Sequence, residues 1–64
     1  MKRIDLERYA RAHGAHPIDE GGNHTRWAGP KGKRSTIPRH REIGYGLACK
    51  ICKQLEVPPP TGSR

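Results

Sequence analysis

The sequence predicts an α+β fold in which two short helices cover one face of a three-stranded antiparallel sheet. The chain has 64 residues, 31% of them hydrophobic and none of them Phe, so it can build one thin core and no second domain. Apolar residues recur at helical spacing near each end, and short strand-like stretches separated by glycine-rich turns lie between them. A sheet of that size has one face to bury, which leaves the other open to solvent.

The first predicted element is a helix over residues 3–13. Its core-facing stripe consists of Leu6, Tyr9, Ala10 and His13. Gly14 follows directly and is suited to end the helix, because glycine readily adopts the left-handed conformation found there.

Three strands follow the first helix. Residues 15–20 are predicted to form an edge strand, because Pro17 is tolerated in a sheet only where no hydrogen bond is needed from its nitrogen. Gly21-Gly22 then permits a tight reversal into a second strand over residues 23–28.

The second and third strands are predicted to form an antiparallel hairpin. Gly29-Pro30-Lys31-Gly32 has Pro at the second position and Gly at the fourth, which suits a type I turn. The third strand covers residues 33–38, with the β-branched residues Thr36 and Ile37 inside it.

The final helix is predicted to begin after Gly44 and to run to about Glu56. Its apolar stripe consists of Leu47, Ala48, Ile51, Cys52 and Leu55. Lys50, Lys53 and Gln54 are predicted to lie on the opposite side.

A run of prolines ends the helical part of the chain. Pro58-Pro59-Pro60 stops the helix and is expected to start an extended tail, of which residues 61–64 are disordered. A single domain over residues 1–60 is therefore expected.

The charge is strongly positive. Thirteen Lys and Arg against six Asp and Glu give a net charge of +7, which attracts polyanions, most commonly nucleic acid. A charge that serves only solubility is the alternative. The basic residues are not gathered on one amphipathic helix with a broad apolar face, so a membrane-surface role is not favoured.

No apolar stretch is long enough for a signal peptide or a membrane span, so a cytoplasmic location with reduced cysteines is expected. The Cys49-x-x-Cys52 spacing falls in mid-helix, where neither a thioredoxin-type redox pair nor a zinc site with two further ligands is indicated. Both cysteines are interpreted as structural, and neither a metal nor a cofactor is expected.

His24 is the candidate catalytic residue. If Trp27 faces the helices, strand alternation sends His24 and Arg26 to the open face. Histidine gains and loses protons near neutral pH, and a neighbouring arginine can stabilise a phosphate, which together suit RNA strand scission. An ordinary surface or core histidine fits the same pattern, and the residues alone leave both interpretations open.

Further basic residues could bind RNA phosphates. Arg39 and His40 close the third strand as a possible rim, and Lys31, Lys33 and Arg34 lie on the hairpin. A solvated loop and a solvated hairpin are the alternatives.

Several short motifs occur in a characteristic order. Gly21-Gly22-Asn23-His24 opens a strand and Ile37-Pro38-Arg39-His40 ends one, while Gly46-Leu47 opens a helix that contains Ile51-Cys52-Lys53-Gln54-Leu55. From Lys2 to Pro60 the chain resembles the HicA toxins, which carry a Gly-x-His motif, a VPRH-like strand end and a KQLG-like final helix. Asn23 departs from a frequent Ser, and the final helix begins Gly-Leu-Ala-Cys rather than Gly-Thr-Leu-Arg.

The resemblance implies a fold like that of double-stranded-RNA-binding domains and a role as the toxin of a type II toxin–antitoxin system. HicA proteins are endoribonucleases that degrade mRNA, and a HicB antitoxin neutralises each of them. The family's catalytic histidine falls on His24, with Gly22 in the glycine position and Gly21 beside it. The resemblance thus implies a metal-free mRNA interferase with a HicB-type partner that covers His24.

Two other classes of protein share this fold and charge. One is a small double-stranded-RNA-binding module that does not cut, and the other is a regulatory protein whose basic face docks an acidic partner. Incubation with RNA separates the enzyme from both.

Overall fold

The computed structural model describes residues 1–22 and 24–60. Its elements are helix α1 (Arg3–Ala12), strands β1 (His16–Gly21), β2 (His24–Ala28) and β3 (Arg34–Pro38), and helix α2 (Tyr45–Leu55). The predicted α-β-β-β-α order and the α+β class are confirmed. Asn23 and the tail 61–64, which the sequence predicts to be disordered, lie outside the described residues.

The sheet has the order β1-β2-β3 and is antiparallel throughout. Strand β1 lies at the edge, as Pro17 predicts, and a bulge interrupts its pairing between Pro17 and Asp19. At the turn between β2 and β3, the amide of Gly32 donates to the carbonyl oxygen of Gly29 over 3.1 Å.

The core lies between the sheet and the two helices. Its buried hydrophobic residues are Leu6, Ala10, Ala15, Trp27, Ile37, Ile43, Ala48, Ile51, Cys52, Leu55 and Val57. Trp27 is the largest of them, and the Arg11 guanidinium lies over its ring at 5.3 Å from the ring centroid. Arg11 therefore covers one side of the core while its charge remains exposed to solvent. Its guanidinium also makes a favourable cation–π contact with the Trp27 ring.

The turn after β2 packs closely against α2. Gly29 is buried, and a Cβ atom at this position would overlap the carbonyl oxygen of Leu55 in the last turn of α2. The absence of a side chain at Gly29 thus sets how closely the hairpin and α2 approach each other.

Two residues of the predicted apolar stripes lie outside the core. Leu47 is 42% exposed and lies on the same side of α2 as the exposed residues Lys50 and Gln54. His13 is exposed at the end of α1, where its ring lies 4.5 Å from that of Tyr9. Both predictions were wrong because spacing along a helix does not show which of its positions a neighbouring element covers.

The prolines follow the end of α2, as the sequence predicts, and their carbonyl oxygens accept hydrogen bonds from a tyrosine of each helix. The Tyr9 hydroxyl donates to the carbonyl oxygens of Pro58 and Pro59 over 2.7 and 3.0 Å, and the Tyr45 hydroxyl donates to Pro60 over 2.8 Å. Pro60 is fully buried. These long-range contacts return the segment to the helices, which the local stop signal of a proline run does not reveal.

The two cysteines lie in different surroundings. Cys52 is fully buried in the core, whereas Cys49 is half-buried one turn earlier, and both are free thiols. Burial, and secondarily the neighbouring Cys49, raises the pKa of the Cys52 thiol above its ordinary value. A thiol that keeps its proton is a poor nucleophile, so the structure supports a packing role for Cys52.

Within residues 1–22 and 24–60, no helix combines the length and the apolar character needed to cross a membrane.

The Gly29 contact generates a stability prediction. Gly29→Ala should lower the free energy of unfolding by about 1–3 kcal/mol or more, because the new methyl group must displace the α2 backbone. The matched control is Gly46→Ala in the first turn of α2, where a Cβ meets no atom within 4 Å. There alanine should leave stability unchanged or raise it by up to about 1 kcal/mol. Urea unfolding compares the two variants, and equal stabilities would contradict the close approach.

The Cys52 environment predicts slow labelling and a loss of stability at alkaline pH. In a Cys49→Ser variant, a thiol reagent at pH 8 should modify Cys52 far more slowly in the native protein than in denaturant. Because the folded-state pKa is raised, the Cys52 contribution to stability is complete below about pH 9 and is lost as the pH rises through the folded pKa. Native labelling as fast as labelling in denaturant would show that Cys52 is accessible.

Candidate active site

Strand β2 divides its side chains between the two faces of the sheet. Thr25 and Trp27 are buried on the helix side, whereas His24 and Arg26 are exposed on the opposite side. This is the division that strand alternation predicts once Trp27 enters the core. His24 is therefore available to a ligand without any disturbance of the core.

Two glycines precede His24 at the end of strand β1. Strand β1 ends at Gly21, which pairs with His24 across the sheet. Gly22 has a φ of 51°, in the left-handed region, and a Cβ built there meets no atom within 4 Å. His24 thus lies at the end of the β1–β2 strand pair, directly opposite Gly21.

His24 lies in a groove between the open face of the sheet and α2. The groove has a volume of about 270 Å³. Its lining residues are His24, Thr36, Pro38, Leu47, Lys50, Ile51 and Gln54. A histidine, an ammonium group, a hydroxyl group and a carboxamide therefore surround one space, together with apolar surface from Leu47 and Pro38.

Sequence analysis did not identify the α2 residues of this groove. The sequence predicts that Lys50 and Gln54 lie on the side of α2 away from the core, and both side chains are indeed exposed. In the structure this side of the helix lines the groove. Their spacing from Leu47, three and seven residues, puts all three on one helix face. This spacing can be read from the sequence. Only the packing of α2 beside β3, however, shows that this helix face borders the groove.

Gln54 is held in place from the sheet. The buried Ser35 hydroxyl of β3 donates to its side-chain oxygen Oε1 over 2.6 Å. This hydrogen bond restricts the Gln54 side chain and leaves its amide nitrogen able to donate.

Arg26 has an acidic neighbour that sequence analysis also did not identify. Its Nε lies 3.9 Å from Oδ2 of Asp19, and both side chains are more than half exposed. A surface pair of this kind contributes little to stability, so a phosphate can compete for the guanidinium. The bulge in β1 sets the Asp19–Arg26 pairing, and it has no reliable sequence signal.

The basic residues of the hairpin lie away from His24. Arg34 pairs with Ala28 at the opposite end of β2, about 13 Å from His24 at the usual rise per strand residue. Lys31 and Lys33 lie in or next to the turn beyond it, and all three side chains are exposed. These three residues extend the positive charge along the domain and do not line the His24 groove.

Arg39 and His40 follow β3 at the His24 end of the sheet, and both are exposed. Arg39 does not line the His24 groove. It lines clefts on the α1 side of the sheet, one of which also includes Arg3, Glu7 and Thr25. The predicted basic set is thus distributed over both faces of the sheet.

Among the residues that the structure describes, no group of three His, Cys, Asp or Glu side chains is placed to hold a metal ion.

Comparison with known proteins gives one match. The family model described as the HicA toxin of bacterial toxin–antitoxin systems matches residues 4–57, from the first turn of α1 to just beyond α2. No curated protein and no solved structure matches the chain. The matched segment contains all five elements except the first residue of α1, and it includes the whole His24 groove.

Proposed function

Because this chain belongs to the HicA family of toxins from bacterial toxin–antitoxin systems, we propose that it is an endoribonuclease that cuts mRNA in the cytoplasm. The observation that carries the proposal is the exposed position of His24 in a groove that also contains Lys50, Thr36 and Gln54. A proton-transfer group and a cation within one accessible groove are the minimum that metal-free RNA cleavage requires.

In the proposed reaction, the ribose 2′-oxygen attacks the adjacent phosphorus atom and displaces the 5′-oxygen of the next nucleotide. His24 takes the proton from the 2′-hydroxyl or gives one to the leaving oxygen. Arg26 or Lys50 stabilises the negative charge that develops on the phosphate. The products are a 2′,3′-cyclic phosphate and a 5′-hydroxyl, and DNA is not cut because it has no 2′-hydroxyl group.

The remaining groove residues would position the substrate. Leu47 and Pro38 offer apolar surface to a base or a sugar, and Thr36 and Gln54 offer hydrogen bonds. Positioning of this kind matters because small displacements of the reacting atoms cost large factors in rate.

RNA binding would depend on the net charge of +7. The proposed phosphate contacts are Arg26, Lys31, Lys33, Arg34, Arg39 and His40. A partner is also part of the proposal: a HicB-type antitoxin covers His24 and places carboxylates against some of these cations. Covering one face of so small a domain would also raise its apparent stability by mass action.

The catalytic role of His24 can be tested against a matched histidine. His24→Ala should abolish RNA cleavage and growth arrest while the circular dichroism spectrum and most of the RNA affinity remain. His16→Ala is the control, because His16 is also an exposed strand histidine but pairs with Ala28 at the far end of the sheet. Both changes should alter stability by no more than about 0.5 kcal/mol.

Two results would contradict the assignment. One is cleavage by His24→Ala at the rate of the unchanged protein, and the other is equal loss of activity in both histidine variants. A protein that binds RNA without ever cutting it would instead be a binding module.

A further inference from the structure

A second basic site lies on the other side of the sheet from His24. The first residues of the chain and the segment after β3 enclose a cleft of about 500 Å³. Its lining residues are Lys2, Arg3, Ile4, Arg39 and Arg41. Four of these five residues are cationic. A smaller cleft of about 250 Å³ shares Arg3 and Arg39 with it.

The fold holds the two walls of this site together. The amide of Arg3 donates to the carbonyl oxygen of Arg41 over 2.9 Å, and Lys2 pairs with Glu42 as an isolated β-bridge. The cations therefore converge because backbone hydrogen bonds fix their segments, and not because flexible side chains happen to meet. A site whose walls are held in this way loses little entropy on ligand binding.

The residues that line the site are mostly basic. In the described part of the chain, Glu7 is the one carboxylate that lines either cleft, and its Oε2 lies 3.7 Å from Nε of Arg3. That Nε is buried and has no hydrogen-bond partner within the described residues. A lining that is rich in cations favours an anionic ligand, and guanidinium groups suit a phosphate in particular.

The chain connects this site directly to the His24 groove. His24 lines the groove and the next residue, Thr25, lines the smaller cleft on the opposite face. Likewise Pro38 lines the groove and the next residue, Arg39, lines both clefts. The two sites therefore meet at one end of the sheet, on either side of it.

We propose that the cleft formed by Lys2, Arg3, Arg39 and Arg41 binds a backbone phosphate of the RNA whose cut site occupies the His24 groove. This inference rests on the proposed ribonuclease activity. The RNA passes round the end of the sheet from the open face to the α1 side. The two sites lie on opposite faces of one sheet, so a flexible single strand can turn from one face to the other and a stiff duplex cannot. The substrate is accordingly single-stranded where it is cut.

The test compares two double variants with the same change in charge. Lys2→Gln combined with Arg41→Gln removes two exposed cations of the cleft, whereas Arg8→Gln combined with Lys53→Gln removes two exposed cations that line neither the cleft nor the groove. The probe is a fluorescein-labelled single-stranded 2′-O-methyl RNA, which cannot be cut by attack of a 2′-hydroxyl. Binding is measured by fluorescence anisotropy over a range of salt concentrations.

The cleft variant should bind the single strand about tenfold more weakly, the effect of losing one charge-assisted phosphate contact. Its plot of log affinity against log salt should be shallower by about 0.7 for the one phosphate released. The control variant should keep both values close to those of the unchanged protein. A duplex of the same sequence should not distinguish the two variants. With cleavable RNA, the cleft variant should have a higher KM than the unchanged protein and the same kcat.

Each contrary result has a definite meaning. Equal losses in both double variants would show that the charge acts diffusely, and the cleft proposal would be wrong. Unchanged RNA binding with lost binding of a polyglutamate peptide would assign the cleft to an acidic protein and overturn the proposal. If the unchanged protein cuts RNA and the cleft variant binds RNA as tightly as the unchanged protein does, this inference alone fails. If the unchanged protein neither binds nor cuts RNA, the proposed function fails with it. If the double variant unfolds at a lower temperature than the unchanged protein, Lys2→Gln and Arg41→Gln are tested singly. Each single change must then weaken RNA binding.

Discussion

Trp27 fills the space between the sheet and α1, with the Arg11 guanidinium over its ring and almost none of its surface exposed. Because strand side chains alternate, the burial of this residue determines that His24 and Arg26 point to solvent. A register shift of one residue would bring His24 into the core and expose the indole, at a cost that the thin core could not bear. The candidate chemistry on the open face thus depends on packing on the closed face.

The fold compensates for a small core with close backbone approaches and long-range ties. Gly29 lets the hairpin meet the last turn of α2, and two tyrosine hydroxyls hold the proline segment against the helices. None of these contacts uses a residue of the groove. The exposed site can therefore carry polar and charged side chains without competing with the packing that stabilises the domain.

Much of the fold could be predicted because its signals are local. Glycines marked the turns, Pro17 marked the edge strand, and the alternation around Trp27 identified the face that His24 occupies. The positions that could not be predicted depend on distant contacts. Leu47 belongs to an apolar stripe but is exposed along the His24 groove, and the Pro58–Pro60 segment is held by Tyr9 and Tyr45 from other parts of the chain.

The same limit applies to the candidate site. His24 could be found from its place after two glycines, and the resemblance to a toxin family gave it a role. Lys50 and Gln54 could not be assigned to the groove before α2 was placed beside β3. Arg39 could be identified as basic, but only the position of α1 shows that it faces the other side of the sheet from His24.

The most direct test of the account is the chemistry of the cut ends. RNA is incubated with the protein in excess EDTA, and the product termini are identified by mass spectrometry. Attack by the 2′-hydroxyl under His24 catalysis predicts undiminished cleavage, with 2′,3′-cyclic phosphate or 3′-phosphate ends and 5′-hydroxyl ends. Products with 3′-hydroxyl ends, or cleavage that returns only when Mg²⁺ is added, would contradict it.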